Sequence, residues 1–156
     1  MKSNKIIGRI LAAILLLTVS AVSIAAEIQN ANNKEATMSA VKIKMTFESG
    51  EVIISLMDNP TTADLLSLLP LDLFARDFNN AEKILMPPRT LAGAKSVVGY
   101  DPNIGDIALY APWGNLAVFY RDSPYADGLL YLGKVESGLD VLSEIPNNTK
   151  ISIECI

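Results

Sequence analysis

The chain has 156 residues, half of them apolar, with a formal net charge of −4, one cysteine and no histidine. That length fits a single domain able to bury a real core. Without imidazole or a second thiol, Ser-His-Asp and Cys-His catalysis, the usual zinc sites and an intrachain disulfide are excluded. Any chemistry has to rest on carboxylates, arginine, tyrosine or backbone groups.

The first residues carry Lys2, Lys5 and Arg9, then an apolar run from Ile10 that continues through Val22. Ser23-Ile24-Ala25 fits a small-x-small cleavage site, so residues 1–25 read as a secretory signal peptide and the protein as exported, periplasmic or extracellular. A retained membrane anchor is the alternative; the stretch from Ile10 to Ala26 is at the short edge of a span. After cleavage no stable membrane insertion is expected. Counted from Glu27, 10 Lys and Arg face 17 Asp and Glu, a net charge of about −7 that disfavours nucleic acid and anionic lipid.

Residues 26–40 are polar and lack periodicity, which predicts a flexible linker, and the domain spans 41–156. Val41, Ile43, Met45 and Phe47 alternate with Lys42, Lys44 and Thr46, the pattern of a half-buried strand. A turn at Glu48-Ser49-Gly50 returns the chain as a second strand. Thr61 or Thr62 is a candidate cap for a short helix, with Asp64 in its first turn and Pro70 as its stop. Two strands flank an Asn79-Asn80 turn. A loop-rich stretch runs from Pro87 to Gly105, and "DIALYA" and "NLAVFYRD" meet at Pro112-Trp113-Gly114. A strand through Gly133 suggests a bulge or close packing. A second short helix follows, with Ser137 as cap, and "TKISIECI" closes the domain as a strand; Cys155 reads as a small apolar residue of that strand. About eight strands and two helices predict an all-β antiparallel sandwich or barrel whose ends the helices plug.

"YLGKVESGLDVLSEI", residues 131–145, resembles the closing segment of the cyclophilins, with Gly133, Lys134, Val135, Gly138, Asp140, Val141 and Ile145 in matching places. "DNPTTADLLSLL" is similar to their first helix. The resemblance implies a closed eight-stranded antiparallel cyclophilin-like barrel capped by two short helices, over about Val41 to Ile156. The middle departs from the peptidyl-prolyl isomerases. It has no Gln-Gly-Gly, and only "FAR", Phe74 to Arg76, echoes their Phe-His-Arg. Pro88-Arg89-Thr90-Leu91 and the segment Gly105 to Asn115 resemble instead a smaller bacterial group of cyclophilin-like proteins of unestablished function.

Isomerases of this fold bind a proline in an apolar pocket while an arginine stabilises the twisting amide. Arg89, stiffened by two preceding prolines, is the first candidate for such a fork, against a plain surface salt bridge. Arg76 is a second, unless alternation merely turns it outward. Trp113 is placed to stack on a ligand or to plug the barrel end. Tyr100 is a candidate groove wall. Tyr120 is another, although Phe119 and Tyr120 face opposite ways and only one is expected in the core. Asp101 and Asp106 read as turn formers rather than a metal pair. No cofactor or metal is expected. The functional expectation is a domain that binds a peptide or small-molecule ligand in a barrel-edge groove; the alternative is a divergent peptidyl-prolyl isomerase built on arginine.

Overall fold

The computed structural model describes residues 41–94 and 98–156. The leader and linker expected over 1–40 lie outside the described residues. Among the described residues, ten strands and two helices follow in chain order: β1 (Lys42–Phe47), β2 (Gly50–Leu56), α1 (Pro60–Leu66), β3 (Leu71–Phe78), β4 (Glu82–Leu85), β5 (Gly99–Tyr100), β6 (Asp106–Tyr110), β7 (Asn115–Phe119), β8 (Ala126–Asp127), β9 (Leu129–Ser137), α2 (Leu139–Glu144) and β10 (Thr149–Cys155). Eight strands close a barrel in the order β1-β10-β3-β4-β7-β6-β9-β2, every pairing antiparallel. The short strands β5 and β8 pair with each other outside it.

Period-two alternation sets the inner face. Ile43 and Met45 of β1, Val52, Ile54 and Leu56 of β2, Ile107 and Leu109 of β6, Leu116 and Val118 of β7 and Leu132 of β9 are wholly buried in one core. β2 and β9 are antiparallel, so the ends that lead into α1 and α2 lie at opposite mouths of the barrel. Leu65 of α1 and Leu142 of α2 join the core from their respective ends.

Both expected caps need correction. Asn59, not Thr61 or Thr62, caps α1: its side chain accepts from the backbone N–H of Thr61 and Thr62 at 2.9 Å, and the Thr62 hydroxyl accepts from the Asn59 N–H at 3.0 Å. Pro60 takes the first helical position, where its missing N–H costs nothing. Asp64 therefore sits beyond the first turn, and Ser67 ends the helix before Pro70 is reached. At α2 the cap is Gly138, with φ of 82°, rather than Ser137, which still belongs to β9. A side chain is strained at that φ and would run into the Glu51 carbonyl.

Gly133 stands where β9 is pressed between β2 and β6. A Cβ there would collide with the Ser55 carbonyl and lie 2.9 Å from the Leu56 Cα. The register of β9 against β6 shifts beside it, and that against β2 shifts farther along, at Glu136. The Asn79-Asn80 turn is tight, with φ of 53° and 55° at the two asparagines, left-handed values that asparagine tolerates, within a three-residue connection between the paired Phe78 and Glu82.

Candidate functional site

The outer wall of the barrel is not uniformly wet. Over β6 and β7, alternate residues Ala108, Ala117 and Phe119 turn outward, yet they are buried beneath a second hydrophobic cluster with Leu129. Ile84, Tyr100, Tyr110 and Ala126 pack against it. This explains a departure from expectation: Phe119 and Tyr120 face opposite ways, but both are buried. Phe119 belongs to the outer cluster. Tyr120 turns to the α2 end, where its hydroxyl donates to Asp77 at 2.6 Å.

Beside this cluster lies a cleft of about 220 Å³. Phe78, Trp113, Tyr110 and Phe119 form its aromatic side, Pro124, Tyr125 and Ala126 the facing wall, and Asn79, Glu82, Asn115 and Ser123 its polar groups. Five of the ten aromatic residues of the chain meet here. The Trp113 ring stands edge-on to Phe78 and to Tyr110, each with centroids 5.4 Å apart, and is half exposed. Such edge-to-face contacts fix the ring and leave a face free. The volume is below the ~300–1,000 Å³ of drug-sized sites, so the cleft suits one side chain or a compact molecule.

Asn115 and Glu82 hold acceptors in the cleft that take no hydrogen bond. Asn115, at the start of β7, is 1% exposed; its Nδ2 donates to the Leu116 carbonyl at 3.2 Å, but its Oδ1 accepts no hydrogen bond. A buried orphan acceptor carries a desolvation penalty of about 1–3 kcal/mol unless a donor reaches it. Glu82, at the start of β4, pairs across strands with Phe78 and Phe119, neither of which offers a donor side chain. Burial alone pushes its carboxyl up to about 7. Glu82 and Asn115 fall within ordinary strand and turn patterns. Only the register across β3, β4 and β7 unites them with Phe78 and Trp113, and single-chain alternation carries no such information.

The expected site residues separate. Trp113 lines the cleft. Arg89 does not: its Nη1 and Nη2 each donate to an oxygen of Asp64 at 2.7 Å, and the backbone N–H of Ala92 donates to the same carboxylate. This is the salt-bridge alternative, a clamp between α1 and the loop after β4. Arg76 projects from the outer face of β3, exposed, opposite Ile84 and diagonal to Glu82, without an ion pair or hydrogen bond. Tyr100 stacks edge-on to Tyr131 at 5.9 Å and packs against the outer cluster without lining the cleft. Its buried hydroxyl has no hydrogen-bond partner; burial, then the Asp106 charge, raise the phenol well above its usual value. Asp106 accepts from the Asn103 N–H at 2.9 Å and from Lys134 at 3.4 Å, turn chemistry as expected. Among the described residues no group of three or more carboxylates, thiols or imidazoles could hold a metal, and no helix is long and apolar enough to cross a membrane.

A closed eight-stranded antiparallel barrel with a helix at each mouth defines a cyclophilin-like domain. The chain belongs to the cyclophilin-like family, which matches residues 45–154. A hypothetical protein of Archaeoglobus fulgidus, known from its solution structure, shares the fold with a TM-score of 0.60 and 18% identity, over 73% of this chain and 93% of that one. No curated protein matches.

Proposed function

We propose that the protein is an exported binding domain whose outer-wall cleft takes a compact ligand or a single side chain of a peptide. The leader-like residues 1–25 support export. The observation that carries the binding reading is the cleft itself: aromatic walls from Phe78, Tyr110, Trp113 and Phe119 surround an orphan acceptor on Asn115 and an unpaired carboxyl on Glu82. Aromatic walls with a few convergent polar groups are the usual make-up of small-ligand sites. A ligand donor on Asn115 Oδ1 would satisfy a group the fold leaves unsatisfied.

The isomerase alternative needs a guanidinium free to face an amide whose rotation barrier is ~18–20 kcal/mol. Arg89 is committed to Asp64. Arg76 is the arginine on the outer wall near the cleft, and its lack of a partner is the one observation in favour of turnover.

Trp113 is the only tryptophan of the chain, so its fluorescence reports on the cleft directly. Titration with short peptides and compact ligands is expected to change that emission saturably. A protease-coupled proline-isomerisation assay on the same samples is expected to stay at background. Acceleration abolished by Arg76→Ala would replace binding by catalysis, and an unresponsive Trp113 across the panel would contradict the binding reading.

A further inference from the structure

Resting on that reading, we infer that the cleft selects a compact organic cation carrying a hydrogen-bond donor, with the aromatic walls and the Glu82 carboxylate recognising the charge and Asn115 Oδ1 the donor. Three observations converge. The lining holds one ionisable carboxyl, Glu82, and no lysine or arginine. The buried Asn115 Oδ1 and the half-buried Glu82 carboxylate are acceptors that take no hydrogen bond, so a neutral apolar occupant would bury them deeper without a partner. The walls present the faces and edges of five rings, and a cation within about 6 Å of a ring centroid is held by the ring quadrupole, the basis of aromatic cages for quaternary ammonium groups. An anionic ligand meets the wrong charge, and a neutral one leaves Glu82 unpaired.

The cation couples to a proton. The charged or titratable groups around Glu82 are Arg76 from β3, Tyr100 and Tyr110 from β5 and β6, and Tyr125 from the segment before β8. Lys83, next in sequence, turns to the opposite face and is held by Asp77. Arg76 makes no ion pair with Glu82. With the Glu82 carboxyl at about 7, the ionised form is the minor one at pH 6 and the major one at pH 8. If the ionised form alone binds, the apparent dissociation constant falls about tenfold over that interval.

The test uses matched pairs on the full chain, read by Trp113 fluorescence. Choline and its neutral carbon isostere 3,3-dimethyl-1-butanol differ in charge and share the hydroxyl donor. N-acetyl-lysine methylamide and N-acetyl-6-hydroxynorleucine methylamide differ in charge while each keeps a terminal donor on a peptide side chain. We expect at least one cation to bind about tenfold or more tighter than its isostere at pH 8. That advantage should shrink toward pH 6 and vanish in Glu82→Gln. The tighter of the two cations tells a free ligand from a side chain. Equal binding of charged and neutral partners, or an advantage that survives Glu82→Gln, overturns the cation inference and leaves the binding reading standing. Absence of any response from all four probes overturns both.

Discussion

The Arg89 guanidinium grips the Asp64 carboxylate through both terminal nitrogens, with Nη1–Oδ2 and Nη2–Oδ1 each at 2.7 Å. The pair fastens the loop after β4 to α1, and Ala92 adds a backbone N–H to the same carboxylate. Planar two-point geometry makes this a stronger anchor than most surface ion pairs. The guanidinium, the adjacent N–H and the charge together hold the Asp64 carboxyl well below the usual range.

Arg89→Ala is therefore expected to act on stability and not on the cleft. Asp64 has a folded value below its unfolded one. Its contribution is full above pH 3.8 and is lost as pH falls below that value. Urea unfolding between pH 6 and pH 3 should show a steeper acid loss for the natural chain than for Arg89→Ala. A double-mutant cycle with Asp64→Asn should show strong coupling. Ligand affinity at Trp113 should stay within about twofold, since neither Arg89 nor Asp64 lines the cleft.

Glu82 has the opposite sign. Its folded value, about 7, lies above the ordinary 4.5 because burial disfavours the charge. The folded state then binds more protons between those values, so stability falls as pH rises from 4.5 to 7 and stays lower above. Glu82→Gln should be near neutral at pH 4 and stabilising at pH 8 by on the order of 1 kcal/mol, after discounting for solvent screening. Equal urea midpoints for the two chains at pH 8 would contradict this.

Trp113→Ala removes a half-exposed wall held by two edge-to-face contacts, with Phe78 and Tyr110. Such contacts contribute about 0.5–1.5 kcal/mol each, so unfolding should become easier by about 1–2 kcal/mol. Ligand affinity, measured by calorimetry because the fluorophore is gone, should drop tenfold or more.

Lys83 is 3% exposed, 2.7 Å from Asp77 and 3.0 Å from the Ile145 carbonyl, with its charge over the Tyr120 ring. It ties β4 to β3 and to the residue that ends α2. Lys83→Ala leaves a cavity and an uncompensated carboxylate, and should cost about 3 kcal/mol in chemical denaturation. Gly133→Ala should cost a similar amount, about 3 kcal/mol, because rigid backbone on β2 blocks the added methyl.

The strands were legible because alternation and turn chemistry are local: β1, β10 and the Asn79-Asn80 hairpin follow directly from their residues. The caps were less so, since Asn59 and Gly138 each sit one to three residues from an equally good capping type. The site was half legible. Trp113 announces itself between a proline and a glycine, and Arg89 follows two prolines, but nothing near Arg89 marks Asp64 as its partner across 25 positions. Glu82 and Asn115 carry no local signal. The second hydrophobic cluster, which turns a nominally outward face into a buried one, arises from β5, β8 and the loops folding back, a long-range effect that strand periodicity does not contain.

The central claim is that the cleft beside Trp113 is where this domain meets its ligand. Amide and indole shift mapping by NMR, during titration with choline at pH 8, tests it most directly. The account predicts saturable perturbations centred on Glu82, Asn115 and the Trp113 indole N–H, with Arg89 and Asp64 unmoved. Perturbations centred on Arg89 and Asp64, or none at Trp113 up to saturating ligand, would contradict it.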